Sequence, residues 1–172
     1  KREWTEEHYQ QKLNNIARVL GDIADKGGAI VGLAEVENRR VLEDLVRNPS
    51  IRKRNYGIVH YDSPDPRGID CALLYDAKVF RLQRSGVRFI ALPEESKIPT
   101  RDILFATGTI DNELFHFIVG HWPSRYGGDP ASAGRRMVAA QTMRQVADSL
   151  LREYPGSKAI LMGDFNDDPF DA

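Results

Sequence analysis

Residues 159–169 read A-I-L-M-G-D-F-N-D-D-P, a short apolar run that gives way to glycine and then to acid and amide side chains. The apolar run has the length and composition of a buried strand, Gly163 permits a sharp turn, and Pro169 opposes continuation as a helix or central strand. Asp164 and Asn166 are therefore expected at a strand tip. There the Asp164 carboxylate, a possible base or metal ligand, would lie beside the Asn166 carboxamide, a neutral hydrogen-bond donor.

Two simpler interpretations of this stretch remain open when it is taken alone. A D-x-N-x-D string also begins a calcium loop of the EF-hand type, which would make the segment an independent calcium-binding site. That loop follows a helix and has glycine at its sixth position, where this chain has Pro169. The other interpretation is an ordinary turn rich in Asp and Asn. The choice depends on the rest of the chain.

A second apolar run, residues 29–38, also ends in acid residues. Glu35 and Glu37 share one side of an extended chain, and Glu35 lies where the apolar run still continues. A carboxylate within a hydrophobic strand costs free energy unless it is paired or binds a cation. Glu35 is therefore either a salt-bridged structural residue or a cation ligand.

A third strand, residues 114–121, ends in a histidine and is followed by a hydroxyl and a guanidinium group. Strand alternation places His121 and His116 on opposite faces, which indicates different roles. His121 is the candidate site residue because it ends the strand beside Ser124 and Arg125, and His116 is expected to be structural.

Four motifs together resemble the endonuclease/exonuclease/phosphatase superfamily of metal-dependent phosphoesterases. They are, in chain order, G-L-A-E-V-E-N at 32–38, R-G-I-D-C-A-L-L-Y at 67–75, G-H-W-P-S-R at 120–125 and G-D-F-N-D-D-P at 163–169. The resemblance covers nearly the whole chain. It implies a deoxyribonuclease-I-like α/β fold, a four-layer sandwich of two packed mixed sheets flanked by helices, here incomplete.

The resemblance also implies roles for individual residues. Glu35 would bind a divalent metal, Mg²⁺ or Mn²⁺, and His121 would contact the scissile phosphate. Asp164 and Asn166 would act on the attacking water and the phosphate. These residues form the expected catalytic and metal-binding set.

Four further side chains are candidates for supporting roles. Arg67, Ser124 and Arg125 are expected near the strand tips, where guanidinium and hydroxyl groups recognise phosphate, although most arginines only solubilise a surface. Asp70 interrupts an apolar strand. It either hydrogen-bonds His121 to fix its tautomer or forms a structural ion pair.

The family pattern is not matched at either end of the chain. Members begin with a strand carrying a metal-binding asparagine and finish with an aspartate-histidine pair, and neither is found here. Residues 1–172 are therefore expected to be one domain truncated at both ends.

Composition is that of an ordinary folded domain, with 41% hydrophobic and 28% charged residues. The 24 basic and 25 acidic residues give no cationic bias of the kind that marks strong nucleic-acid binders. Cys71 is the single cysteine and is expected to be a buried thiol. No membrane-length apolar stretch is found, and no protein partner is implied.

Periodicity and turn signals predict the order of the elements. We expect a helix capped by Thr5, a short helix near 40–47, a helix with an apolar stripe from Met143 to Tyr154, a hairpin turn at Asp111-Asn112, and strands at 29–36, 56–60, 69–75, 79–91, 102–110, 114–121 and 159–162.

The sequence therefore predicts a hydrolase that uses Mg²⁺ or Mn²⁺ to cleave a phosphodiester or phosphomonoester, as a nuclease or phosphatase. Nucleic acid, an inositol phosphate and a phospholipid headgroup all remain open as substrates. The alternative is a catalytically inactive sandwich that acts as a binding module.

Overall fold

The computed structural model describes residues 5–24, 28–92, 99–125 and 128–168, and Pro169, the expected strand stop, lies outside these residues. Within them are three α-helices, a short 3-10 turn at Arg52–Arg54 and seven strands. The helices are α1 (Glu6–Ala24), α2 (Arg39–Val46) and α3 (Asp129–Glu153), and the strands are β1 (Ile30–Val36), β2 (Tyr56–His60), β3 (Asp70–Asp76), β4 (Arg81–Arg88), β5 (Ile103–Ile110), β6 (Glu113–His121) and β7 (Lys158–Asp164).

The strands form two sheets that pack face to face. The first has the order β1-β3-β2 with antiparallel pairs, and the second has the order β4-β5-β6-β7, in which only the β6–β7 pair is parallel. Parallel neighbours need a long crossover connection, which α3 provides here. Parallel pairing brings the carboxyl ends of β6 and β7, and hence two of the predicted motifs, to the same edge.

Three buried clusters separate four layers. One lies between the first sheet and helices α1 and α2, one between the two sheets, and one between the second sheet and α3. The central cluster includes Cys71 and Leu73 from β3 facing Leu104 from β5 and Phe117 from β6. The expected four-layer α/β sandwich is confirmed.

Local signals explain where the elements begin and turn. The Thr5 hydroxyl accepts a hydrogen bond from the His8 amide at the start of α1, and the Asn38 carboxamide oxygen caps α2 through the Val41 amide. Asp111 and Asn112 both have positive φ, as a two-residue hairpin turn between β5 and β6 requires.

Helix α3 begins at Asp129, and the expected apolar stripe lies toward its end. One expectation about the strands was wrong in detail. The run 159–162 is not fully buried, because β7 lies at the edge of its sheet and Ile160 and Leu161 are each 41% exposed. An apolar run cannot by itself distinguish a central strand from an edge strand. None of the described helices is long and apolar enough to cross a membrane.

His116 is a buried structural residue, as expected. Its Nδ1 lies 2.8 Å from the Thr107 hydroxyl, and its Nε2 lies 2.9 Å from the Ser157 hydroxyl. Ser157 donates its own proton to the Tyr154 carbonyl, so it accepts from His116, which places the ring proton on Nε2. Burial lowers the pKa of His116 and keeps this ring neutral.

We expect stability to fall as the pH falls through the ordinary histidine pKa of about 6.5 and below. In the unfolded chain His116 takes up its proton first, so acid favours unfolding, by up to about 1.4 kcal/mol per pH unit for one such group. Urea unfolding at pH 7.5 and 5.5 measures the slope. His116→Gln should flatten it and a His8→Gln control should not, whereas an unchanged slope in His116→Gln would contradict this assignment.

Cys71 is a buried core thiol, as the sequence predicted, and burial is the main cause that raises its pKa to about 12. Because the thiolate is the reactive form, a thiol reagent at pH 8 should label the folded protein at least about a hundredfold more slowly than the urea-unfolded chain. Equal labelling rates would show that the strand β3 is exposed.

Candidate functional site

The tips of β6 and β7 place His121 and Asp164 side by side as register partners. His121 Nε2 and Asp164 Oδ2 are 3.9 Å apart, too far for a direct hydrogen bond. The imidazole is buried, whereas the Asp164 side chain is 58% exposed. Any side chain at Gly163 would collide with the Gly120 backbone, so the close approach of the two strand ends requires glycine there.

Asn166 is held in the left-handed region, with φ of 51°, by two hydrogen bonds. Its amide donates to Asp164 Oδ1 at 3.0 Å, and its Nδ2 donates to the Trp122 carbonyl at 2.9 Å. The Trp122 amide in turn donates to the Asp164 carbonyl. The loop after β7 is thus tied to the segment after β6. Within the described part of the chain, Asn166 uses one of its two carboxamide N–H groups.

Glu35 lies on a β-bulge near the end of β1. The register shifts between Leu33 and Val36, and Glu35 has φ of 58°, which is uncommon for a residue other than glycine. The Glu35 carboxylate is exposed, and the buried Val36 separates it from the exposed Glu37, so the two glutamates share one side of the chain as expected. Among the described residues, Glu35 makes no hydrogen bond or ion pair. A strained backbone that presents an unpaired acid is typical of functional sites.

Several charged groups act on the buried imidazole of His121. Burial and the Arg101 charge lower the pKa of His121, while the Asp164 and Glu35 carboxylates act in the opposite direction and Arg67 adds to the lowering. His121 is therefore neutral near pH 7. Among the described residues, its buried Nδ1 has no hydrogen-bond partner.

Arg67 lies beside Glu35 on the wall of a cleft of about 800 Å³. Hydrogen bonding to Asp65 is the main cause that raises the pKa of Arg67, and the Glu35 charge contributes. The guanidinium is 55% exposed. The structure therefore places a fixed positive charge next to the candidate acid.

Ser124 and Arg125 differ in how free they are to bind a ligand. Ser124 is exposed. Arg125 is engaged by the loop after β7, since its Nε donates to the Asn166 carbonyl at 3.1 Å and its Nη2 to Asp167 Oδ1 at 2.7 Å. In this structure Arg125 supports the loop that carries Asn166.

Asp70 does not orient His121. Its Oδ2 lies 3.0 Å from His60 Nε2, and its Oδ1 accepts from the Ser63 amide at 2.8 Å. Both oxygens are thus used to anchor the loop between β2 and β3. The expected contact between Asp70 and His121 is wrong, and Asp70 has the structural role that was the alternative, with His60 as its hydrogen-bond partner.

A second group of possible metal ligands lies at that anchor. His60, Asp62 and Asp70 each offer one ligand atom, and these three atoms lie within 4.8 Å of one another. The hydrogen bonds just described already account for His60 and Asp70. An imidazole in the set is also a poorer match for Mg²⁺ than the carboxylates at the strand tips.

Sequence reasoning did not find Asp65 and Arg101, which lie next to the candidate residues. Arg101 donates from Nη1 to Asp65 Oδ2 at 3.1 Å and from Nη2 to the Trp122 carbonyl at 2.7 Å. The two residues are 36 positions apart, and no local pattern joins them. The only available signal was that Asp65 precedes the R-G-I-D motif by two residues.

A sequence model of the Endonuclease/Exonuclease/phosphatase family matches residues 1–172. The chain belongs to this family. The resemblance carried by the four motifs is therefore confirmed.

Solved structures share the fold of this family member. ANGEL2, a 2′,3′-cyclic phosphatase, is 16% identical with a TM-score of 0.71, and the match covers 91% of this chain and 44% of ANGEL2. Truncated Caenorhabditis elegans TDP2 is 16% identical with a TM-score of 0.70, covering 95% and 58%. The human Nocturnin catalytic domain, solved with a bound sulfate anion, is 20% identical with a TM-score of 0.66, covering 93% and 59%.

The chain spans about half the length of these structures, from 44% to 59%. At such identities the similarity establishes the fold. A comparison with curated protein sequences gives no match.

Proposed function

We propose that this protein is a divalent-metal-dependent phosphoesterase whose active site is the cleft between Glu35 and the tips of β6 and β7. The observation that carries the proposal is the pairing of His121 with Asp164 at the tips of β6 and β7, together with the charges of Glu35 and Arg67 that act on the buried His121. Family membership supports hydrolysis of a phosphate ester. We further propose that residues 1–172 belong to one catalytic domain.

The donor set fits Mg²⁺ or Mn²⁺. Among the described residues, the Glu35 carboxylate makes no hydrogen bond or ion pair, and Asp164 Oδ2 makes no hydrogen bond while Oδ1 accepts from Asn166. Hard cations prefer such oxygen ligands. When bound, the cation would neutralise negative charge on the phosphoryl group. Glu35 is the residue proposed to hold it.

The chain's own residues would perform the remaining work. Asp164 would orient or deprotonate the attacking water, since its exposed side chain lies beside His121. Asn166 would donate its unused N–H to a phosphate oxygen, and a neutral His121 would donate from Nε2. Such donors stabilise charge that builds in the transition state.

Phosphate recognition is assigned to Arg67 and Ser124. The Arg67 guanidinium is held in place and half exposed, and the Ser124 hydroxyl is exposed near His121 in sequence. Arg125 would act by supporting the loop after β7 that carries Asn166. It would contact the phosphate directly only if its hydrogen bond to Asp167 broke. Guanidinium and hydroxyl groups are ordinary phosphate ligands.

Nucleic-acid fragments are the first substrates to test. ANGEL2 is described as a 2′,3′-cyclic phosphatase, and Danio rerio TDP2 was solved with a single-strand DNA product. Inositol phosphates and phospholipid headgroups present the same phosphoryl group to the proposed site. The balanced charge of this chain, with net charge −1, gives no reason to prefer a long polyanion.

The experiment is an assay of the full-length protein against phosphodiesters and phosphomonoesters of these three classes. We expect turnover of at least one ester with Mg²⁺ or Mn²⁺ and its loss with excess chelator. Binding without turnover of any ester would favour the inactive binding module instead.

A further inference from the structure

A buried ion pair joins the loop between β2 and β3 to the segment just before β5. The side chains of Asp65 and Arg101 are 2% and 3% exposed, and their closest atoms are 3.1 Å apart. Burying two charges is seldom the most stable way to fill such a space, because desolvation offsets much of their attraction. We therefore ask which neighbouring side chains the Asp65–Arg101 pair holds in position.

Asp65 fixes the orientation of Arg67. Its Oδ1 accepts from the Arg67 amide at 2.9 Å and from Arg67 Nε at 3.1 Å, and its Oδ2 accepts from Arg67 Nη2 at 3.0 Å. These bonds occupy one edge of the guanidinium. They use Nε and Nη2 but not Nη1, and Arg67 lines the same cleft as Glu35.

Arg101 connects this arrangement to the strand tips. Its Nη1 bonds Asp65, and its Nη2 bonds the Trp122 carbonyl, which also accepts from Asn166 Nδ2. A single planar group thus spans from the carboxylate that holds Arg67 to the carbonyl that holds Asn166. Lysine, with one ammonium nitrogen, lacks the two spaced donors needed to span both acceptors in this geometry.

We propose that Asp65 and Arg101 are positioning residues for phosphate recognition. Asp65 orients the Arg67 guanidinium toward the substrate phosphate, and Arg101 sets the distance between Arg67 and Asn166. The inference rests on the proposed function, in which Arg67 and Asn166 contact the phosphate. Neither Asp65 nor Arg101 touches substrate in this scheme.

The test uses two variants that preserve size, Asp65→Asn and Arg101→Lys, in the full-length protein. Each removes part of the network, because an amide offers one acceptor oxygen and lysine one donor centre. We expect Asp65→Asn to raise KM for the best phosphoester by roughly tenfold or more with a smaller change in kcat. Arg67→Lys should cost much less in the Asp65→Asn background than alone, since the two residues act as a unit.

Two controls separate positioning from a general loss of stability. Leu20→Ala makes a cavity in the core between α1, α2 and the first sheet, and Arg84→Lys alters the exposed ion pair with Glu153. Neither should raise KM. A KM for Asp65→Asn that matches the value for Leu20→Ala would overturn the proposal.

A second measurement is independent of turnover. The ¹⁵N heteronuclear NOE of the Arg67 Nε–Hε group should be that of a rigid side chain in the unaltered protein and of a mobile one in both variants. An Arg67 that stays equally rigid in both variants would overturn the proposal. If the unaltered protein hydrolyses no ester, the proposed function fails, while this NMR result still decides whether Asp65 and Arg101 hold Arg67.

Discussion

Asp164→Asn should lower kcat by roughly 10²–10⁴, the range usual for removal of an acid–base group, with little change in KM. The substitution keeps the shape of the side chain and its Oδ1 acceptor for the Asn166 amide. It removes the negative charge needed to activate water. Because that interaction is made mainly in the transition state, kcat and kcat/KM should fall together. Steady-state kinetics of the full-length protein at saturating Mg²⁺ measures both.

Asp168→Asn is the matched control for this change. Asp168 lies in the same loop, its side chain is 77% exposed, and the chemical change is identical. We expect kcat within about twofold of the unaltered enzyme, as for most surface substitutions. If Asp164→Asn raised only KM and left kcat unchanged, Asp164 would be a binding residue and the mechanism would be wrong.

Glu35→Gln should raise the Mg²⁺ or Mn²⁺ concentration needed for half-maximal activity and lower turnover at a fixed metal level by roughly tenfold or more. The neutral amide is a poorer ligand for a hard cation than a carboxylate. The fold should be retained, because Glu35 is exposed and makes no hydrogen bond among the described residues. Calorimetric titration with Mn²⁺, alongside a thermal unfolding curve, measures metal affinity and stability.

Glu37→Gln provides the control two residues away. Glu37 is also exposed and lines the same cleft, but it lies beyond the bulge that presents Glu35. Its substitution should leave metal affinity nearly unchanged. Equal Mn²⁺ affinities for the unaltered protein and Glu35→Gln would mean that Glu35 is structural.

The layered fold could be predicted because local signals agree with it. The Thr5 and Asn38 caps, the Asp111-Asn112 turn and the alternation that separates His121 from His116 depend on neighbours in sequence. Each of these features could be predicted from the sequence, because capping, hairpin turns and strand alternation depend on residues a few positions apart. The family motifs supplied the rest of the fold.

What the sequence did not reveal depends on contacts between distant segments. The bulge at Glu35 is a feature of the β1–β3 pairing, and the exposure of β7 depends on its place at the sheet edge. Asp70 was a candidate partner of His121, yet His60 lies closer because β2 and β3 are neighbours. The Asp65–Arg101 pair likewise forms only once the loop after β2 folds against the start of β5.

The electrostatics of the site follow from the same distant contacts. His121 stays neutral because burial and Arg101 outweigh the two carboxylates near it. A neutral imidazole beside the Asp164 side chain can donate a hydrogen bond without competing for the water's proton. The roles of His121 and Asp164 are therefore complementary in the proposed reaction.

The most direct test of the account is the position of Mn²⁺ in crystals of the full-length protein, read from its anomalous scattering. We predict a Mn²⁺ peak within about 2.0–2.4 Å of a Glu35 carboxylate oxygen, on the side of the cleft that faces Asp164. The peak should vanish in Glu35→Gln crystals. A Mn²⁺ ion found only at His60, Asp62 and Asp70, with none at Glu35, would contradict the proposed active site.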